Sequence, residues 1–259
     1  MADFDGSILT VTHHPEKSAA VVTLNAPPFN VVTIATREHL ASLFDGFDKD
    51  PAVRVIILQS AGEHFSSGGD IPGFLAASPE YLSELHRNVA APERCSKPVI
   101  ARLTGFTFGV GLELALACDF RIASDTTLLA LPEMRLGMIP GSGGTQRVAR
   151  LAGLGRAKDM IMRARRIAAA EAWQWGLLTE VLSPPQLDER VWNLVDELLA
   201  FSPLAQKYAK RALNESLQGP LQSGLEFEGA LYGFLRTSAD FQEGVAAFKA
   251  KRAPRFQGK

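Results

Sequence analysis

The stretch Gly105-Phe106-Thr107-Phe108-Gly109-Val110-Gly111-Leu112-Glu113 indicates a short strand, a Gly-x-Gly turn and the first turn of an apolar helix. Glycine lets the backbone approach a ligand closely and present its N–H. A helix N-terminus adds unpaired N–H groups and the positive end of a dipole. The segment is therefore a candidate for holding a developing oxyanion. The alternative is a tight strand-to-helix connection that binds no ligand.

Two further glycine-containing segments accompany it, residues 64–71 and residues 131–145. Neither resembles a nucleotide-binding loop. Leu114 stands where a dinucleotide fingerprint would continue from Gly109 and Gly111 to its third glycine. No lysine follows the glycines of residues 141–145, as a P-loop requires. The pattern therefore disfavours a redox cofactor and a P-loop nucleotide site.

Two glutamates lie in apolar surroundings. Glu113 sits one turn into the helix predicted after Gly109, and Glu133 follows Pro132 between apolar residues. A carboxylate in such surroundings is costly unless it is paired or protonated, and burial raises its pKa. Both are candidate general acids or bases. The alternative is an exposed, capping or ion-pairing role for either side chain.

The rest of the chain predicts an α/β core followed by a helical region. Alternating and β-branched runs indicate strands, and apolar residues at helical spacing indicate helices. The predicted strands are residues 8–12, 19–24, 53–58, 98–103, 120–123 and 127–130, and the predicted helices are residues 33–47, 79–95 and 109–118. From about Gly143 onward strand patterns are sparse except at residues 179–182, and helices are predicted over 187–199, 203–217, 220–235 and 241–251.

Composition bounds the function classes. The 259 residues include 27 basic and 28 acidic side chains, a formal net charge of −1, and 46% are hydrophobic. These values are typical of a globular protein and exclude a disordered or collagenous chain. So balanced a charge gives no strong field for nucleic acid or an anionic membrane. The sequence therefore predicts neither partner.

The cysteines, histidines and N-terminus point to a cytoplasmic protein without a metal. Two cysteines, Cys95 and Cys118, make no disulfide framework and no zinc pattern, and the five histidines show no metal-ligand grouping. Residues 1–5 lack the features of a signal peptide, and no apolar run reaches the roughly 18 residues of a membrane span. A reducing compartment fits these features.

Taken together, several motifs resemble the crotonase (enoyl-CoA hydratase/isomerase) superfamily. They cover nearly the whole chain in order, and their combination is more specific than any one loop. The carrying segments are Phe65-Ser66-Ser67-Gly68-Gly69-Asp70-Ile71, residues 109–119, residues 132–137, residues 139–147, Ala170-Glu171-Ala172 with Gly176-Leu177-Leu178, and the ending at residues 247–256.

The resemblance implies a spiral of repeated ββα units over residues 1–195 and a helical trimerisation region over residues 196–259, with trimers often paired into hexamers. It also implies an acyl-CoA substrate and no tightly bound cofactor. The main-chain N–H groups of Gly69 and Val110 would hold the thioester oxygen, beside Glu113 and Glu133. The residues implied in binding coenzyme A are Ser67, Gly68, Gly69, Asp70, Ile71 and Lys251, the last acting from the same or a neighbouring subunit.

This constellation suits the hydration of a 2-enoyl thioester. Attack of water at C3 places negative charge on the thioester oxygen, where two N–H donors stabilise it. One carboxyl group activates the water and the other supplies the proton at C2, with Glu133 expected as the main acid/base group and Glu113 as its water-activating partner. The alternatives within the fold are a thioester or C–C hydrolase, a Δ3,Δ2-enoyl-CoA isomerase, and a non-catalytic CoA-binding or RNA-associated member.

Two departures from the family pattern bear on specificity. Val110 stands where the family usually has glycine; its N–H remains, but its isopropyl group is expected to narrow the acyl pocket. Arg163 and Arg165 stand where the family has uncharged or acidic residues. They indicate either a solvated or intersubunit basic face, or recognition of a second carboxylate on the acyl chain.

Overall fold

The computed structural model describes residues 8–259, so the expectation about a signal peptide concerns residues outside the described range. Apolar and β-branched runs form nine strands in that range. They are β1 (Leu9–His14), β2 (Ala19–Leu24), β3 (Val55–Ser60), β4 (Val99–Leu103), β5 (Phe106–Phe108), β6 (Phe120–Ser124), β7 (Leu128–Ala130), β8 (Arg166–Ala168) and β9 (Glu180–Leu182).

Thirteen α-helices connect and follow these strands within residues 8–259. They are α1 (Ile34–Lys49), α2 (Ile71–Ala76), α3 (Pro79–Glu84), α4 (His86–Val89), α5 (Ala91–Arg94), α6 (Val110–Ala117), α7 (Gly144–Ala152), α8 (Leu154–Met162), α9 (Ala169–Gln174), α10 (Pro184–Leu199), α11 (Pro203–Glu215), α12 (Leu221–Leu235) and α13 (Ala239–Ala250). Short 3-10 helices cover Pro15–Lys17 and Glu133–Leu136. None of these helices is long and apolar enough to cross a lipid bilayer.

The strands form two sheets that repeat one unit. The larger sheet has the order β1-β2-β3-β4-β6-β9, and all its pairs are parallel except the β1–β2 hairpin. The smaller sheet has the order β5-β7-β8. The units β4-β5-α6 and β6-β7-α7 each place one strand in each sheet and then a helix. This repeat confirms the predicted α/β class with ββα units.

Alternation along the strands divides the core into two layers. On β3, Ile56 and Leu58 belong to the main cluster with α1 and α6, whereas Val55 and Ile57 face a second cluster. Helix α10 covers that second face with Leu187, Val191, Leu194 and Val195. Because successive side chains point to opposite faces of a strand, near-continuous apolar runs are what a sheet covered on both sides requires.

The structure corrects some predicted elements. The single helix predicted over residues 79–95 is broken into α3, α4 and α5. Pro92 lies in the first turn of α5. Proline has no N–H to bond the carbonyl four residues earlier, and its ring clashes with that carbonyl, so a helix cannot run unbroken through it. Strand β8 and helices α7, α8 and α9 were not predicted individually. Strand β8 is three residues long and buries only Ile167, so it adds little strand periodicity to a region of helical pattern.

The C-terminal helices leave many apolar side chains exposed. Helix α12 has no buried residue, and α11 buries only Lys210. The predicted boundary between residues 195 and 196 falls inside α10, which packs on the sheet. The division into a spiral core and a trimerisation region stays a prediction.

Both cysteines lie in the interior as free thiols, Cys95 at 4% exposure and Cys118 at 4%. Burial raises the pKa of Cys95 to about 11 and that of Cys118 to about 12. The two thiols therefore stay protonated at neutral pH, and such buried thiols are inert.

Candidate active site

The three glycine segments converge on one cavity of about 460 Å³. It lies between the loop after β3, the start of α6 and the segment between β7 and α7. Apolar side chains make most of its wall, with two acids and one guanidinium among them. The lining residues are Arg37, Ser67, Gly68, Gly69, Ile71, Phe74, Leu75, Leu82, Leu85, Gly109, Val110, Glu113, Pro132, Glu133, Leu136, Met138, Ile139, Gly141 and Ser142.

Main-chain hydrogen bonds hold the loop of residues 66–69 on both sides. The N–H of Ser67 donates to the carbonyl of Phe29 at 2.8 Å, and the carbonyl of Gly68 accepts from Val32 at 2.9 Å. Ser66 exchanges two further bonds with β5. Among residues 8–259, no hydrogen bond uses the N–H of Gly69. The N–H of Gly69 is therefore unpaired within these residues, and Gly69 lines the cavity.

The start of α6 lies directly against that loop. Gly109 has φ +52° and ψ −129°, a conformation that side chains other than glycine rarely adopt. A Cβ on Gly109 would lie 3.4 Å from the Cα of Gly68, and one on Gly111 would clash with Ser66 at 2.5 Å. The N–H of Val110 opens the helix and has no intrahelical acceptor. Gly69 and Val110 thus both line one cavity.

Glu113 is buried, with 2% exposure, and projects from the first turn of α6. Its Oε1 accepts from the N–H of Ser142 at 2.7 Å and of Gly144 at 2.9 Å. Burial raises the pKa of Glu113, opposed by these two N–H donors and by the charges of Arg37 and Arg147. The exposed position weighed for Glu113 is thus ruled out.

Glu133 begins the 3-10 helix that follows β7 and Pro132. Its Oε1 lies 3.0 Å from where a Cβ of Gly109 would be. Its Oε2 is buried with no hydrogen-bond partner in the described chain. Burial raises the pKa of Glu133 to about 7, assisted by the neighbouring charge of Glu113. An acid with that pKa is able to take or give a proton near neutral pH.

Arg37 is a cavity residue that the sequence analysis missed. It shares one face of α1 with Leu40, Ala41 and Phe44, all buried, at the spacing i, i+3, i+4 and i+7. A cation on the apolar face of an amphipathic helix is the signal that identifies it. Its guanidinium stacks on Phe74, with 4.9 Å from Cζ to the ring centroid.

The other predicted binding residues are distributed unevenly. Ser67, Gly68 and Ile71 line the cavity, while Asp70 is the residue before α2. Lys251 lies at the end of α13 and is not among the residues lining this cavity. Within one chain, the structure therefore does not bring Lys251 to the predicted site.

Arg163 and Arg165 do not line the cavity. Both form ion pairs with Asp159, and Arg165 also pairs with Glu171 at 2.9 Å. Local acids thus satisfy these guanidinium groups, which favours the basic-face interpretation over recognition of a substrate carboxylate. Elsewhere in residues 8–259, no three His, Cys, Asp or Glu side chains are grouped as metal ligands.

Comparisons with known proteins agree with this geometry. The enoyl-CoA hydratase/isomerase family profile matches residues 14–259. A probable enoyl-CoA hydratase of Rhizobium meliloti is 38% identical over 240 residues, covering 92% of this chain and 93% of that protein. A short-chain-enoyl-CoA hydratase of Clostridium acetobutylicum is 35% identical over 243 residues, covering 92% and 93%.

The solved structures agree as well. The crystal structure of an enoyl-CoA hydratase from Bacillus anthracis superposes with a TM-score of 0.90 at 34% identity, covering 97% of this chain and 100% of that one. A second, from Geobacillus kaustophilus, gives a TM-score of 0.92 at 33% identity, covering 97% and 98%. The profile match, the relatives and the shared fold confirm the predicted superfamily, and the chain belongs to the enoyl-CoA hydratase/isomerase family.

Proposed function

We propose that this protein is an enoyl-CoA hydratase, a lyase that adds water across the C2–C3 double bond of a 2-enoyl-CoA thioester. The observation that carries the proposal is the presence of two carboxyl groups, the buried Glu113 and the half-buried Glu133, in the cavity that Gly69 and Val110 also line. Relatives named as enoyl-CoA hydratases at 35% and 38% identity support it.

The proposed reaction uses each group once. The N–H groups of Gly69 and Val110 bind the thioester oxygen and stabilise the enolate that forms as water adds to C3. The carboxylate of Glu113 accepts a proton from that water, and the carboxyl group of Glu133 donates its proton to C2. Water is thus added in full, and the two acids exchange protons with solvent before the next turnover. No bound cofactor enters, since coenzyme A arrives as part of the substrate.

The cavity wall supports an uncharged acyl group. Beyond the two acids and Arg37, the wall is mostly apolar, and Val110 is among its lining residues. Such a wall gains free energy by burying hydrocarbon, at about 25 cal/mol per Å². For coenzyme A, we propose contacts with the loop of residues 67–71 and with Lys251 of a neighbouring subunit.

The assembly proposed with this function is a homotrimer, or a hexamer of two trimers, formed through residues 196–259. Large apolar side chains stand exposed on the C-terminal helices, including Leu221 at 79%, Tyr232 at 77% and Phe248 at 85%. Exposed apolar patches of this kind mark protein interfaces. Light scattering coupled to size exclusion gives the mass, and a monomer at micromolar concentration would contradict the proposal. We propose a cytoplasmic location on the strength of the two free thiols.

One assay separates the candidate chemistries. Purified protein is incubated with crotonyl-CoA and with a panel of longer, branched and dicarboxylic acyl-CoAs, and enoyl absorbance and free thiol are followed together. Hydration removes absorbance without releasing thiol. Thiol release would identify a hydrolase instead, and gain of enoyl absorbance from a 3-enoyl-CoA without hydration would identify an isomerase.

A further inference from the structure

Arg37 is a buried cation without a direct ion pair. Its residue exposure is 4%, and among residues 8–259 no carboxylate forms a salt bridge with it. Nη1 donates to Ser142 Oγ at 3.3 Å, and Nε has no hydrogen-bond partner. Isolated buried charges are costly unless nearby charges compensate them. The compensating groups must therefore lie in the cavity.

The two site acids are those groups. A Cβ on Gly69 would lie 3.0 Å from Nη2 of Arg37, so the guanidinium sits beside the proposed oxyanion donor. On its other side, Ser142 links Arg37 to Glu113, because its hydroxyl accepts from Arg37 and its N–H donates to Glu113. The charges of Glu113 and Glu133 oppose the lowering of the pKa of Arg37, which burial brings to about 10.

We propose that Arg37 is a positioning residue of the hydratase site, acting through the carboxyl groups: its guanidinium favours the ionised form of both acids and, through Ser142, holds the negative charge on Glu113, while the proton stays on Glu133. This inference rests on the proposed function for its meaning in catalysis. The asymmetry comes from the surroundings. Two backbone N–H groups and a second guanidinium, Arg147, also favour the charged form of Glu113. Within residues 8–259, the groups that favour the ionised form of Glu133 are its own backbone N–H and the Arg37 guanidinium, and Glu133 also faces the charge of Glu113.

The other charged groups around the cavity have contacts of their own. Arg147 is already ion-paired with Glu93, so its charge is shared. On the loop before α2, Asp70 points toward Gly73, where a Cβ would lie 2.5 Å from Oδ2. On α1 itself, Glu38 accepts a hydrogen bond from Tyr81 at the surface. Among the residues lining the cavity, Arg37 is the only basic one.

Binding of a substrate carboxylate is the competing use of Arg37, and the charge balance disfavours it. The cavity already holds two carboxyl groups against one guanidinium. A third carboxylate in the same apolar space would face like charges and lose its hydration. The structure thus favours Arg37 as a partner of the enzyme's own acids.

The test compares Arg37→Met with Arg37→Lys. Arg37→Met removes the charge at similar volume, and Arg37→Lys keeps the charge. Arg156→Met is the matched control, because it removes one exposed guanidinium outside the cavity. Two properties are measured from pH 5 to pH 9: kcat and KM for crotonyl-CoA, and the thermal midpoint of unfolding at a fixed protein concentration. If Arg37→Met fails to fold, Arg37→Gln replaces it.

For Arg37→Met we expect kcat to fall about tenfold or more, with KM changed less, and both limbs of the kcat profile to move about one pH unit or more toward alkaline pH. Arg37→Lys should keep the wild-type profile. The loss of thermal midpoint in Arg37→Met should grow as pH rises, because the ionised acids lose their compensating charge.

Three outcomes would overturn the inference. One is a kcat profile of Arg37→Met that is not shifted in pH relative to wild type. Another is a loss of thermal midpoint in Arg37→Met that does not depend on pH, as expected if the arginine is purely structural. The third is a rise in KM confined to dicarboxylic acyl-CoAs, which would assign Arg37 to the substrate. The thermal readout needs no activity, so it tests the charge coupling even if crotonyl-CoA is not a substrate.

Discussion

Replacing Glu133 with glutamine should raise stability relative to wild type at alkaline pH and lower activity at every pH. Burial and the charge of Glu113 raise the pKa of Glu133 from 4.5 to about 7. The folded state therefore binds a proton more tightly than the unfolded chain does. The stability this gives is fully present below pH 4.5 and is lost as pH rises through 7. Glutamine carries no such charge, so the variant escapes the loss.

The magnitude follows from the two pKa values of Glu133. One pH unit is worth about 1.4 kcal/mol, so the rise from 4.5 to about 7 corresponds to about 3 kcal/mol. Partial exposure of Glu133 to solvent makes this an upper value. For a chain of this size, 1 kcal/mol shifts the thermal midpoint by about 2–4 °C. Between pH 5 and pH 8.5, the midpoint of Glu133→Gln should thus gain up to roughly 10 °C on wild type.

The assay is thermal unfolding of both proteins in matched buffers at one protein concentration, with Glu189→Gln as a control on an exposed helix surface. The midpoint shift of the variant is compared at the two pH values, so any pH-independent cost of burying the glutamine amide cancels. Turnover of crotonyl-CoA should fall by at least roughly 10²-fold at every pH. The assignment of Glu133 would be refuted if the difference in thermal midpoint between Glu133→Gln and wild type changed with pH as little as it does for the control. Activity near that of wild type would also refute it.

Three other substitutions test single contacts. Glu113→Gln should also lower kcat by roughly 10²-fold or more, measured by loss of enoyl absorbance, and unchanged turnover would remove Glu113 from the reaction. Gly109→Ala should cost about 1–3 kcal/mol from its strained φ and should push Glu133 Oε1, 3.0 Å from the new methyl. Denaturant unfolding and kcat check both effects, and wild-type values in both would contradict them. Asp240→Ala should cost about 1.5–3 kcal/mol per lost charge-assisted bond, because its carboxylate accepts from the N–H of Gln257 at 2.7 Å. Faster proteolysis of residues 252–259 is the expected readout, and unchanged cleavage would show that the tail is held otherwise.

Local patterns predicted the elements that lie close along the chain. The β-branched runs gave the β1–β2 hairpin, with Leu9 opposite Leu24 and His14 opposite Ala19. The Gly-x-Gly turn gave the start of α6, and the apolar neighbours of Glu113 indicated its burial. In these cases the physical cause, side-chain periodicity or glycine conformation, acts within a few residues.

What sequence did not predict depends on distant packing. Arg37 enters the cavity only because α1 packs beside α4 and α5 and under the loop that follows β3. The two N–H donors that bind Glu113 come from Ser142 and Gly144, about 30 residues away along the chain. Lys251 is the reverse case: the family resemblance suggested a role in binding coenzyme A, but within one chain it lies outside the cavity.

Because Cys95 and Cys118 are buried, the folded protein should not react with thiol reagents. With pKa values near 11 and 12, neither sulfur offers the thiolate that such reagents attack. A colorimetric count of free thiol during turnover therefore reports coenzyme A alone. For the same reason, a single cysteine introduced at the surface could be labelled with a fluorophore while the two native cysteines stay unlabelled.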